Sequence, residues 1–105
     1  MDKKLVLQAK KHDKEAFVKL VENYQVSMYK TAIAILQNDE DAADAIQETI
    51  LICWEKIGSL RNAKFFKTWM TRILIHRCYA IYNENKRTVT ADNFPDVMAC
   101  SDKYG

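Results

Sequence analysis

Arg61, Asn62, Lys64, Phe65 and Lys67 stand together within residues 61–67. Arginine and lysine neutralise phosphates, an asparagine amide bonds a base edge, and a phenylalanine ring offers a stacking face to an unpaired base. Charge, amide and ring therefore converge where an extruded base could sit. The basic character continues beyond them. Residues 56–87 carry eight bases (Lys56, Arg61, Lys64, Lys67, Arg72, Arg77, Lys86, Arg87) and one acid, Glu84, with Phe65, Phe66, Trp69, Tyr79 and Tyr82 interleaved. The chemistry indicated is recognition of a nucleic-acid strand. No nucleophile–base pair is evident, and the chain reads as a non-enzyme.

The preceding segment has the opposite sign. Residues 37–55 carry six acids (Asp39, Glu40, Asp41, Asp44, Glu48, Glu55) and no base, so the net charge of +2 hides a step from −6 to +7. Asp44, Gln47, Glu48, Leu51 and Glu55 follow i, i+3, i+4, i+7 and i+11 spacing, which places them on one helix face. A solvated face is the plain reading of such acids. Leu51 and Ile52 among them favour a binding patch, since apolar groups ringed by acids suit a protein contact. Phosphate would be repelled here, so the expected partner is a basic protein. A metal-dependent nuclease is not supported: acids on one helix, without a second carboxylate cluster or a buried histidine, do not build a two-metal site. The only histidines are His12 and His76, and Cys53, Cys78 and Cys100 lack CxxC spacing. No metal and no cofactor are expected.

These residues need helices to position them. A chain of 105 residues makes one domain, and two Gly and one Pro leave long stretches without helix breakers. Residues 1–12 are short and basic, either flexible or a short helix. Asp13 is a helix start, followed by Phe17, Leu20, Val21, Tyr24, Met28, Ala32, Ile35 and Leu36 at three-to-four spacing. This is one long helix, or two with a joint near Asn23–Gln25. Asn38-Asp39-Glu40-Asp41 opens the next helix, with acids where the helix dipole favours them. Its apolar stripe is read as Ala43, Ile46, Ile50, Cys53, Trp54 and Ile57, and Gly58-Ser59 ends it.

Residues 58–64 read as a loop. A last helix runs from about Phe65 to Lys86, with a stripe of Phe66, Trp69, Met70, Ile73, Leu74, Ala80 and Ile81. Its outer face is read as Thr68, Thr71, Arg72, Ile75, Tyr79, Tyr82 and Lys86. Arg77 falls inside the stripe by phase, with no evident partner. Periodicity stops at Thr88, so residues 88–105 read as a linker or tail. No strand is required. The expected fold class is all-α: a compact bundle of three to four helices over residues 13–87. The apolar runs are too short to span a membrane, no signal peptide is visible, and the cysteines read as reduced thiols of a cytoplasmic protein.

Taken in order, the segments resemble a family. Asp39-Glu-Asp-Ala-Ala-Asp-Ala-Ile-Gln-Glu-Thr-Ile-Leu-Ile-Cys-Trp-Glu-Lys-Ile is similar to the core-polymerase-binding helix of bacterial sigma factors. Phe66-Lys-Thr-Trp-Met-Thr-Arg-Ile-Leu-Ile-His-Arg-Cys resembles the promoter-melting and minus-ten-reading segment that follows it, and Glu15-Ala-Phe with Leu20 and Tyr24 is similar to the first helix. The resemblance is to region 2 of the extracytoplasmic-function (ECF) group. It implies that Asp44, Gln47, Glu48 and Leu51 face the coiled-coil clamp in the largest subunit of core RNA polymerase. It implies that residues 59–67 capture a flipped base of the minus-ten non-template strand, with Arg72, His76 and Tyr79 along that strand. It leaves room for an anti-sigma factor as a further partner. The family often has Asn at the position of His76 and Asp at that of Ala80. It also carries a second, helix-turn-helix domain, so this chain reads as a fragment or as an unusual sigma lacking that domain.

The implied function is transcription initiation: binding core polymerase, and recognising and helping to melt the minus-ten element. Unstacking costs a few kcal/mol per base, and stacking on protein rings returns about 1–3 kcal/mol. Two other readings stay open. A helix-turn-helix regulator would prefer duplex DNA, and a helical protein-interaction module would bind no oligonucleotide.

Overall fold

Asp13 has an extended backbone, and its Oδ1 accepts the Ala16 N–H at 3.2 Å, which caps a helix with an otherwise orphan donor. Asn38 does the same for the next helix, its Oδ1 accepting the Asp41 N–H at 2.9 Å. These caps divide the chain. In the computed structural model, which describes residues 2–89 with side chains to Lys86, four helices follow one another. They are α1 (Asp2–Lys10), α2 (Lys14–Leu36), α3 (Asp39–Lys56) and α4 (Phe66–Val89), and two 3-10 turns, Ile57–Ser59 and Ala63–Phe65, lie between α3 and α4. There is no strand among the described residues. The tail expected beyond them, with Pro95 and Cys100, lies outside the described residues.

α2 is continuous, with no joint near Asn23. Gln37, in left-handed conformation at φ 54°, closes it by donating its N–H to Ile33 O at 2.8 Å. With only Gln37 and Asn38 between them, α2 and α3 form an antiparallel hairpin. α4 folds back along α3, as the Arg77–Glu48 and Asn85–Asp41 contacts show. The core gathers Leu20, Met28, Ile57, Phe66, Met70 and Leu74, all at most 2% exposed. Ring contacts tie the helices together, Phe17–Trp54 at 5.1 Å between α2 and α3 and Tyr24–Phe66 at 5.9 Å between α2 and α4, and within α4 Phe66 lies 5.9 Å from Trp69. The N-terminal segment is a helix, and its Val6 and Ala9 are fully buried in the same core.

Two stripes are rotated from the sequence expectation. Ala43 is exposed, and α3 turns Ala42, Ala45 and Thr49 inward beside the expected Cys53, with the expected Ile57 buried in the turn that follows. Ala42 and Ala45 are small enough for α3 to lie close between its neighbours, which leaves the bulkier Ile46, Ile50 and Trp54 at the flanks. Thr49 is buried without cost to its hydroxyl, which donates to Ala45 O at 2.7 Å within its own helix. On α4, Ala80 is exposed and Cys78 is buried, because Phe66, Met70, Leu74 and Cys78 recur every four residues along the contact.

The buried thiols make stability fall in alkali. Burial pushes Cys53 up to about 12 and Cys78 up to about 11, from an ordinary 9.0. Both therefore hold their protons more tightly folded than unfolded. The stability this carries is complete below pH 9 and declines as pH rises toward the folded values. The expected slope is about 1.4 kcal/mol per pH unit for each thiol between pH 9 and 11. Burial, and then the hydrogen bond to Asp2, pushes Tyr24 up to about 12, which adds a loss of the same sign above pH 10. Urea unfolding at pH 8, 9 and 10 measures it. An unfolding free energy that stays flat across that range contradicts the burial assigned to the thiols.

Candidate protein and nucleic-acid interfaces

The link between α3 and α4 is built by alternating anchored and exposed residues. Leu60 and Ala63 are buried, whereas Arg61, Asn62, Lys64 and Phe65 are exposed. The first turn closes with the Leu60 N–H donating to Ile57 O at 3.1 Å, and Ser59 Oγ donating to Lys56 O at 2.7 Å. Asn62 caps the second turn: its Oδ1 accepts the Lys64 N–H at 3.0 Å, and its carbonyl accepts the Phe65 N–H at 2.9 Å. The Asn62 side-chain oxygen is thus used locally, and its amide N–H groups are the part left to face a ligand. Phe65 is 54% exposed, while Phe66 beside it is 1% exposed.

Along α4, Arg72, His76 and Tyr79 are exposed at i, i+4 and i+7, one face in line with Phe65. Lys67 is exposed on the flank. All eight residues singled out for strand contact are exposed; Arg72, His76 and Tyr79 share one face of α4, whereas Lys67, at the start of the helix, lies off that face. Tyr82 is half-buried, with the Lys86 Nζ 4.9 Å from its ring centroid.

On α3, Asp44, Gln47, Leu51 and Glu55 are exposed, Leu51 by 59%. Glu48 differs from them. Its Oε1 accepts from Arg77 Nη2 at 2.5 Å and Nε at 2.7 Å, so its charge is already matched within the fold. This explains why Arg77 stands at an apolar phase: it reaches from α4 to the edge of α3. The acids of this segment have no base within it, but the fold supplies partners for several. Besides Glu48, Asp39 accepts from the Tyr29 hydroxyl at 2.6 Å and Asp41 from Asn85 at 2.8 Å. The bond to Asp39 raises the Tyr29 hydroxyl above its ordinary value. A feature that sequence reasoning missed lies beside this face. It is a shallow groove of about 280 Å³ between α2 and α3, lined by Phe17, Val18, Val21, Glu22, Gln25 and Ile50. No group of three or more metal-ligating side chains occurs among the described residues. No helix among them is long and apolar enough to cross a membrane.

The domain thus presents an exposed acidic face around Leu51 on α3 and exposed basic and aromatic residues on the loop and α4. Comparison with known proteins identifies the family. Residues 20–88 match the Sigma-70 region 2 family, and the chain belongs to it. It is 34% identical over 73 residues to the ECF RNA polymerase sigma factor SigW of Bacillus subtilis, covering 70% of this chain and 39% of that protein. It is 23% identical over 87 residues to the RNA polymerase sigma factor SigV of the same organism, covering 83% and 52%. It is 31% identical over 75 residues to the RNA polymerase sigma-H factor of Pseudomonas aeruginosa, covering 71% and 39%. The chain thus spans between two fifths and about half of the length of these relatives. The NMR structure of an engineered region 2 of sigmaE in complex with GTAAAA matches with a TM-score of 0.73 at 25% identity, covering 83% of this chain and 92% of that one.

Proposed function

We propose that this domain acts in transcription initiation, binding core RNA polymerase through α3 and the non-template strand of the minus-ten element through the loop and α4. The observation that carries the strand half is the joint exposure of Arg61, Asn62, Lys64 and Phe65 in the loop, Lys67 at the start of α4, and Arg72, His76 and Tyr79 along one face of that helix. Among these, Phe65 is a large ring left 54% exposed between two lysines. For the polymerase half the support is Leu51, 59% exposed between Asp44 and Glu55. Glu48 belongs to the same face as a residue shared with Arg77. The clamp of the largest subunit is the partner that the family resemblance implies for this face, and an anti-sigma factor is a further partner class. The domain acts by binding alone, without a chemical step, and in the cytoplasm. The 24-residue length of α4 counts against a helix-turn-helix regulator, which needs a short recognition helix.

Fluorescence anisotropy with labelled strands tests the strand half. The wild-type domain is expected to prefer a single strand of minus-ten type over the same duplex, with a shallow salt dependence because few phosphates are gripped. Asn62→Ala is expected to relax discrimination at one base, since it removes edge contacts together with the cap. Lys64→Ala or Lys67→Ala is expected to weaken all sequences alike. Equal affinity for single strand and duplex, or undiminished base preference in Asn62→Ala, removes the pocket from this reading.

A further inference from the structure

We infer that α1 sets the geometry of the base-capture loop, with Lys10 as its positioning residue; the inference deepens, and rests on, the strand-binding role given to residues 61–67. α1 precedes the residues that match the family, which begin at position 20. It is nonetheless tied into the fold at both ends. At its start the Tyr24 hydroxyl donates to Asp2 Oδ2, and along its length Val6 and Ala9 are fully buried. At its end the Lys10 Nζ donates to the main-chain oxygen of Leu60 at 2.6 Å, across 50 residues of sequence.

Leu60 lies in the loop between the two 3-10 turns. Its side chain is 7% exposed, its N–H is taken by Ile57, and its carbonyl is taken by Lys10. The Ile57 bond thus fixes the peptide plane that enters Leu60, and the Lys10 bond fixes the next one, the peptide plane that leads into Arg61. Arg61 and Asn62 leave the core immediately after it, so the direction in which they point follows the orientation of that plane. An ammonium donating to a carbonyl is a charge-assisted bond, stronger than a neutral one. Preorganised groups bind with less ordering cost and discriminate better than loose ones. The plain alternative is that burial of Leu60 and Ala63 alone holds the loop and Lys10 is incidental.

Hydrogen exchange on the full chain separates the two, with wild type, Lys10→Met and Lys10→Arg compared. Lys10→Met keeps the apolar stem of the side chain and removes the donor. Its Leu60, Lys64 and Phe65 amides are expected to exchange roughly fivefold faster, the factor that corresponds to one ordinary net hydrogen bond, while α2 and α4 amides are unchanged. Lys10→Arg, which can still donate, is expected to restore wild-type rates. With single strands of GTAAAA and its single-base variants, Lys10→Met is expected to narrow the spread of affinities, and Lys10→Arg to recover it. Unchanged loop exchange in Lys10→Met overturns the inference. So does uniform acceleration through α2 and α4, which marks a merely structural role, or failure of Lys10→Arg to rescue. If the loop amides respond as expected but wild type binds no single strand above duplex, the buttress stands and the strand-binding role of the loop falls.

Discussion

Phe66→Ala is expected to cost about 3–5 kcal/mol of unfolding free energy, while Phe65→Ala leaves stability within about 0.5 kcal/mol of wild type and weakens single-strand binding by about 1–3 kcal/mol. The two rings are neighbours in sequence and opposite in role. Phe66 is 1% exposed, with Tyr24 and Trp69 both 5.9 Å away between ring centroids. Its removal opens a cavity where α2 and the first turn of α4 meet, and a domain of this size has only about 5–15 kcal/mol to lose. Phe65 ends the second 3-10 turn and is 54% exposed, so its truncation removes a stacking face and little packing. Urea unfolding reads the first effect and strand anisotropy the second. If Phe65→Ala destabilises the fold as Phe66→Ala does, the ring is core and the stacking role is wrong. If it binds single strands as wild type does, the ring has no contact with bases.

Asp44→Arg combined with Leu51→Arg is expected to lower affinity for purified core RNA polymerase by roughly 100-fold or more, since like charges forced together at a desolvated centre cost several kcal/mol. Both positions are exposed and seven residues apart on α3, so helix content and unfolding free energy should remain near wild type. Glu48 is a poor site for this test. A reversal there would set an arginine against Arg77, whose guanidinium now holds Glu48 at 2.5 Å, and would disturb the α3–α4 contact along with any partner contact. Surface plasmon resonance against core polymerase measures the loss, with circular dichroism as the control. A double variant that binds core polymerase as tightly as wild type removes α3 from the interface.

Much of the helical frame was legible because its signals are local. Asp13 and Asn38 cap their helices through bonds to residues three positions on, and such a bond needs nothing beyond its own turn. The three-to-four spacing of Leu20, Val21 and Met28 and the acids in the first turn of α3 act over the same short range. The separation of acidic from basic residues into consecutive helices is likewise written along the chain, and with it the two-sided character of the domain. These features made an all-helical fold and the division into two surfaces readable without coordinates.

What the sequence left open is decided by contacts between distant residues. Whether α3 turns Ala42 or Ala43 inward, and α4 Cys78 or Ala80, depends on how closely the helices approach. Arg77 finds Glu48 29 positions upstream and Lys10 finds Leu60 50 positions downstream, pairings that no periodicity specifies. The phase of α4 already separated Phe66 from Phe65, but only the loop geometry turns the Asn62 oxygen back onto the Lys64 N–H. The sequence alone thus determined which segments become helices and what charge each presents. Tertiary packing determined which face of each helix is buried and which charged groups remain available to a partner, because burial and ion pairing are properties of the space between helices and not of any one of them.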